Sequence, residues 1–71
     1  MNTYLISNLT RPEAGQVSIR ANSVREAVIN LIRLTGDNRG ICEETEIDYF
    51  KHYVMIQNGW TLIVELVDEG Q

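Results

Sequence analysis

The chain contains one cysteine and one histidine, and their side chains are the first candidates for catalytic chemistry. A nucleophilic dyad would need both Cys42 and His52. No third group is available to orient the histidine, no oxyanion feature accompanies the pair, and structural zinc needs four ligands. We therefore predict no catalytic residue, no metal site and no cofactor. We expect Cys42 to be a small buried apolar residue.

The densest cluster of charge is acidic and lies in the second half of the chain. Its members are Glu43, Glu44, Glu46 and Asp48. A calcium loop needs oxygen ligands at fixed spacing around a central glycine, and this segment has neither. Two interpretations remain open: a solvated helix start or loop, and a surface that binds a basic protein or mimics a phosphate backbone. Trp60 is a second candidate for partner binding if exposed, and would cap the core if buried.

Arginine outnumbers lysine five to one, and arginine favours bidentate recognition of carboxylate or phosphate. Arg25 and Arg33 are expected on the solvent side of a helix, with Arg20 on the preceding strand. These three residues are the alternative, anion-binding surface. No aromatic platform or glycine-rich loop accompanies them, and the net charge is −4, so nucleic acid is the less favoured partner.

Composition indicates a single small α+β domain spanning residues 1–71. Residues 1–40 contain five arginines against three acids, whereas residues 41–71 contain one lysine against seven acids. No apolar run approaches the roughly 20 residues that a transmembrane helix needs. The amino terminus lacks a basic region followed by an apolar stretch, so no signal peptide is expected. With a lone cysteine, these features predict a cytoplasmic protein and no membrane partner.

The strongest local signal is Asn58-Gly59 between two apolar runs, which predicts a β-hairpin with a type I′ turn and φ > 0 at both residues. A two-residue loop fixes the pairing of the strands. On one face Met55 should be opposite Leu62, and Tyr53 opposite Val64. The other face should have Val54 opposite Ile63, and His52 opposite Glu65, an ion pair across the strands.

The first half of the chain predicts a hairpin followed by a helix. Strands are expected at residues 3–9 and 16–21, the second of them strictly alternating. Ser23 and Glu26 form a capping box at the helix start, and Gly36 supplies the left-handed residue that ends the helix. The helical spacing predicts one core stripe, which contains Val24, Ala27, Val28, Leu31 and Leu34.

The sequence predicts a loop at residues 37–40, and the secondary structure of residues 41–52 is ambiguous. Acids in a first turn favour a short helix from Thr45, while alternation of Thr45, Ile47 and Tyr49 favours an extended segment. We predict the short helix.

The predicted fold is then a four-stranded sheet of β-β-α-β-β order, with strand order 2-1-4-3 and its last strand central. This order is similar to the β-grasp, the ubiquitin-like architecture. The chain ends Glu69-Gly70-Gln71 and not in the paired glycines of activated ubiquitin-like carriers, so conjugation chemistry is not expected.

Apolar residues exceed what one helix and one sheet face can bury. Either a homodimer or residues 41–50 should cover the remainder. The candidate dimer interface contains Ile29, Ile32, Val54, Ile56 and Ile63. We therefore predict a non-catalytic protein–protein interaction module, a regulator or inhibitor that binds a macromolecular partner. The alternative is a small-ligand or nucleic-acid-binding domain that uses the arginine-bearing face.

Overall fold

Antiparallel strands and one helix make up the part of the chain that the computed structural model describes, residues 1–36 and 39–70. The elements are β1 (Asn2–Asn8), a 3-10 turn (Pro12–Ala14), β2 (Gln16–Ala21), α1 (Val24–Leu34), β3 (Ile41–Asp48), β4 (Lys51–Ile56) and β5 (Thr61–Asp68). The helix packs on one face of the sheet, and the core lies between them. The α+β class is therefore confirmed. Of the predicted loop at residues 37–40, Asp37 and Asn38 lie outside the described residues.

The sheet has five strands in the order β2-β1-β5-β4-β3, and every neighbouring pair is antiparallel. The predicted four-stranded sheet, its order 2-1-4-3 and the β-grasp-like arrangement are therefore wrong. β5, the strand expected to be central, has two strands on each side. The fifth strand, β3, adds an outer edge next to β4.

β3 is formed by the segment for which a short helix was predicted. Ile41–Asp48 pairs antiparallel with β4, with Glu44 opposite Val54 and Glu46 opposite His52. Pairing with β4 provides hydrogen-bond partners for the backbone along one side of the segment. A short exposed helix at this position would make no such bonds with the rest of the sheet. The β-branched residues Thr45 and Ile47 also suit a pleated surface. Tertiary pairing therefore overrides the helix-start signal of the acids.

The second hairpin differs from the predicted type I′ turn. Gly59 has φ 95°, but among the described residues positive φ is confined to glycine, so Asn58 is not left-handed. The Gly59 N–H donates to the Ile56 carbonyl (3.0 Å), and the Ile56 N–H donates to the Trp60 carbonyl (3.0 Å). These bonds define a three-residue loop that ends in a left-handed glycine. The side chain of Asn58 accepts a hydrogen bond from the Trp60 N–H at 2.9 Å.

The extra loop residue shifts the pairing by one position. Val54 lies opposite Leu62, and His52 lies opposite Val64. A one-residue shift moves every side chain of a strand to the other face relative to its partner. Four apolar residues of the hairpin consequently share the face under α1 and are buried there: Val54, Ile56, Leu62 and Val64. Less apolar surface remains on the opposite face than the predicted register implies.

The helix has the predicted ends, but its buried face is rotated about the helix axis relative to the predicted core stripe. The Ser23 hydroxyl accepts from the Glu26 N–H (3.1 Å), and Gly36 has φ 81°. Ile32 is only 3% exposed, whereas Leu34 is 74% exposed, so Leu34 is not a core residue. At about 100° per residue, Ile32 lies about 40° from the buried Val28, and Leu34 lies about 120° away.

The turn provides a first prediction. Gly59→Val should lower the free energy of unfolding by more than about 1 kcal/mol, because a β-branched residue is strained at positive φ. Gly40→Val is the matched control: its φ is outside the left-handed range and no atom lies within 4 Å of the added Cβ. Urea denaturation of both variants measures the difference. Equal midpoints would show that the left-handed conformation of Gly59 does not constrain the turn.

Candidate functional site

The acidic cluster forms an exposed edge of the sheet. β3 is the outermost strand, no other described strand pairs with its outer side, and seven of its eight residues are exposed. Glu44 and Glu46 pair with residues that face the helix, so they lie on the helix side of the sheet. Glu43 pairs with Met55 and lies on the opposite side, and Asp48 pairs with Lys51. The carboxylates therefore line both faces of one open strand edge.

Exposed aromatic residues follow directly after this edge. The rings of Tyr49 and Phe50 meet edge to face with centroids 4.9 Å apart, and both side chains are more than half exposed. The Tyr49 hydroxyl donates a hydrogen bond to the Glu69 carboxylate. This bond, and after it the negative charge of Glu69, raise the pKa of Tyr49 above its usual value of 10.0. The Phe50 N–H donates to the Asp48 carboxylate at 2.7 Å, which fixes the turn. Strand β3 thus ends in an ordered aromatic tip.

A cavity of about 330 Å³ separates the helix-side face of β3 from the start of α1. We call it the polar cavity. Its walls contain Asn2, Tyr4, Asn22, Ser23, Val24, Arg25, Glu44, Glu46, Tyr49, His52 and Leu66. The Asn2 amide donates to the Tyr4 hydroxyl at 3.0 Å. Acidic residues from β3 and the beginning of a helix thus meet around one concave site.

His52 lies in the wall of this cavity and is 9% exposed. Its Nε2 is 3.4 Å from a carboxylate oxygen of Glu46 and 4.0 Å from one of Glu44. Its Nδ1 is buried without a hydrogen-bond partner. The predicted cross-strand pair with Glu65 is wrong, because the shifted register places Lys51 opposite Glu65. The neighbours of His52 depend on β3, where the sequence pattern predicted a short helix instead of a strand.

Cys42 and Trp60 lie away from the polar cavity. Cys42 is exposed, contrary to its predicted burial. It is four positions along β3 from Glu46, the residue opposite His52, so about 13 Å of extended strand lies between the backbone of Cys42 and that of Glu46. Trp60 is half-buried and packs against the core beside a second, apolar cavity of about 170 Å³. The two cavities have no lining residue in common, so Trp60 is not brought next to the acidic cluster.

The three arginines of the predicted anion-binding surface are not on one face. Arg20 alternates with the buried Ile19 and Ala21, so it points to the side of the sheet away from α1. Arg25 and Arg33 are in the first and last turns of the helix, and only Arg25 lies in the wall of the polar cavity. The structure does not bring them together.

Most of the predicted interface residues are in the core. Ile32, Val54 and Ile56 are each 3% exposed or less, so they cannot form an interface of the folded chain. Ile29 is half-buried on the helix. Ile63 is also half-buried, and by alternation with Leu62 and Val64 it lies on the sheet face away from α1. That face, which we call the open face, also contains Leu5, Tyr53 and Met55.

Segment 41–50 does not fold back over the open face. It continues the sheet as β3, and its Ile47, Tyr49 and Phe50 are themselves at least half exposed. The proposed cover within the chain is therefore wrong.

No family model, curated protein or solved structure matches this chain. No helix within residues 1–36 and 39–70 is both long and apolar enough to cross a membrane. Over the same residues, no group of three or more His, Cys, Asp or Glu side chains is arranged to hold a metal ion.

Proposed function

We propose that this protein is a non-catalytic interaction module that binds a basic segment of another protein as an additional strand along β3. The observation that supports it most is the form of β3, an eight-residue edge strand with an open outer side and four acidic residues. An unpaired strand edge offers a row of N–H and C=O groups to an extended peptide. Binding of this kind suits a regulator or inhibitor.

The charge of the edge selects the partner. Two copies of β3 would repel each other if they paired edge to edge, because each brings Glu43, Glu44, Glu46 and Asp48. A strand with basic residues at alternate positions would instead place its cations on one face of the sheet, beside Glu44 and Glu46 on the helix side. The aromatic tip, Tyr49 and Phe50, adds exposed apolar area at the end of the same strand. We also propose a cytoplasmic location, because a free and exposed thiol such as that of Cys42 is typical of a reducing compartment.

The alternative, binding of nucleic acid by the arginines, has less support. Arg20 lies on one side of the sheet, and Arg25 and Arg33 lie in the helix on the other side. Phosphate binding draws on a concentrated basic surface. Nothing equivalent is formed by these three side chains.

The proposed function is tested with a capped eight-residue peptide of alternating arginine and threonine and with a single-stranded oligonucleotide. We expect the peptide to bind and its affinity to fall as salt is raised, because charge attraction contributes to the complex. The expected result for the oligonucleotide is no saturable binding. Tight oligonucleotide binding with a steep salt dependence, and none of the peptide, would overturn the proposal in favour of the arginine-based alternative.

We also propose a homodimer, formed across the open face. Leu5, Ile63, Tyr53 and Met55 lie on adjacent strands there, and Ile63 is on the central strand β5. A two-fold axis along β5 would set β1 of one copy over β4 of the other, with Leu5 level with Lys51 and two positions along the strand from Tyr53. The patch is small, because the shifted register buries Val54 and Ile56. We therefore expect weak association.

Sedimentation equilibrium measures this association. The apparent mass should rise toward two chains as the concentration increases from micromolar to millimolar. Ile63→Glu should keep it at one chain, because it buries a charge at the centre of the interface. Ile29→Glu, on the helix side, is the control and should leave dimerisation unchanged. A mass of one chain at every concentration would rule the dimer out.

A further inference from the structure

We infer that the cavity beside Trp60, which we call the apolar cavity, binds a small uncharged molecule with a single ring. The cavity has a volume of about 170 Å³ and lies between the helix-side face of the sheet and the last turn of α1. Its walls come from β1, the 3-10 turn, β2, the end of α1 and the start of β5. Because none of them belongs to β3, this inference goes beyond the proposed function and does not rest on it.

The apolar cavity forms because α1 leaves one end of the sheet uncovered. Val17, Ile19 and Ala21 alternate along β2 and share the face that packs against the helix. Ala21 is 0% exposed and Ile19 is 8% exposed, but Val17 is 37% exposed. The cover that α1 provides therefore ends before it reaches the start of β2. Val17 lies opposite Ile6 on β1, and both side chains line the cavity.

The polar groups of the walls are already engaged within the chain. The Asn8 Oδ1 accepts hydrogen bonds from two backbone N–H groups of the loop that follows β1, both at 3.0 Å. The Thr35 hydroxyl donates to the Ile32 carbonyl at 2.6 Å. These groups shape the cavity and do not need a charged or strongly polar ligand to complete their hydrogen bonding.

The one charged residue of the walls is neutralised by a neighbour. The Arg11 Nε donates to the Glu13 carboxylate at 3.1 Å. A hydrogen bond from its own backbone N–H, and after it the bond from Arg11, lower the pKa of Glu13, so this carboxylate stays ionised at neutral pH. The pair offers no net charge to an ion. An uncharged ligand therefore suits the cavity better than an anion or a cation.

The volume and the aromatic wall indicate the size and shape of the ligand. A cavity of about 150 Å³ with aliphatic and aromatic walls holds one benzene-sized molecule, so the apolar cavity matches a single ring. The half-buried indole of Trp60 offers an aromatic partner for edge-to-face or offset packing. A ring in this position would also remove Val17 and Leu31 from water, which favours binding.

Benzyl alcohol is the probe, and Trp60 reports on it. Trp60 is the single tryptophan of the chain, so its indole N–H gives one signal in a ¹⁵N NMR titration. We expect benzyl alcohol to shift this signal and the amide signals of Gly15 and Leu31 saturably. The dissociation constant should be on the order of 1 mM, because so small a ligand has few atoms to contribute. Signals of the open face, at Tyr53 and Met55, should shift little.

Benzoate and benzylammonium have the same ring and test the charge of the ligand. Each should bind at least about three-fold more weakly than benzyl alcohol, because its charge loses water at the cavity and gains no ionic partner there.

Two variants test the place of binding, each with its melting temperature compared with the wild type. Val17→Phe should weaken benzyl alcohol at least about 10-fold, because the added ring occupies the cavity. Val67→Phe is the matched control, the same change at an exposed position on β5 outside the walls, and should alter affinity less than about two-fold. If Val17→Phe fails to fold, Ala14→Leu in the 3-10 turn replaces it, since Ala14 is exposed and lines the cavity.

Four outcomes would overturn this inference. They are no saturable shift of the indole signal up to about 20 mM benzyl alcohol, a charged probe that binds as tightly as benzyl alcohol, undiminished binding by the folded cavity-filling variant, and an equal loss in Val67→Phe. Each leaves the proposed function standing, because the arginine–threonine peptide is tested on β3 and not at this cavity.

Discussion

Replacing Ile32 with alanine is expected to lower the free energy of unfolding by about 3 kcal/mol. Ile32 is 3% exposed and belongs to the core beneath α1, next to Val28. Removing its three outer carbons takes apolar contacts from a closely packed region and leaves a cavity that the sheet cannot collapse to fill. Chemical denaturation monitored by circular dichroism gives the value.

Leu34→Ala is the matched control for this prediction. Leu34 is in the same helix and is 74% exposed, so its replacement should change stability by less than about 0.5 kcal/mol. The sequence predicts the opposite assignment, with Leu34 in the core stripe and Ile32 in the candidate dimer interface. A larger loss for Leu34 than for Ile32 would contradict the observed rotation of the helix.

The second large effect concerns binding. The double replacement Glu44→Lys with Glu46→Lys should weaken the arginine–threonine peptide at least about 100-fold, because two attractive charge contacts become repulsive. It should also slow association and flatten the dependence of the association rate on salt. Stopped-flow fluorescence with a labelled peptide measures both rates.

A control with the same change in net charge separates local from general electrostatics. Glu13→Lys with Asp68→Lys adds the same charge at exposed positions on other elements, the 3-10 turn and the end of β5. We expect this variant to lose no more than about three-fold in affinity, provided that both variants melt like the wild type. Equal losses in the two variants would mean that overall charge, and not the β3 edge, attracts the peptide.

The turn shows how much of the fold could be read from the residues. Asn58-Gly59 correctly predicts a hairpin and a left-handed glycine, since both follow from local backbone sterics. Whether the loop has two residues or three is a small energetic choice, and the packing of Val54, Ile56, Leu62 and Val64 under one helix favours three. That choice depends on the whole core, which local signals do not contain.

The candidate site was predictable to a lesser extent. Clustering of Glu43, Glu44, Glu46 and Asp48 is visible in the sequence, because it needs only adjacency. The polar cavity is not visible, because its formation requires β3 to pair with β4 and His52 to face the helix. Alternation of Thr45 and Ile47 was the available signal, and the acids at the same positions resembled a helix start strongly enough to obscure it.

The most direct test of strand addition to β3 is amide hydrogen exchange, followed by NMR, with and without the arginine–threonine peptide. Along β3, alternate N–H groups point to β4 and to the outer side. The outward amides should exchange at least about 10-fold more slowly when the peptide is bound, because they gain partners from the new strand. The inward amides should change little. Peptide binding at unchanged affinity with no new protection at the outward amides of β3, or with protection at the edge of β2 instead, would contradict the account.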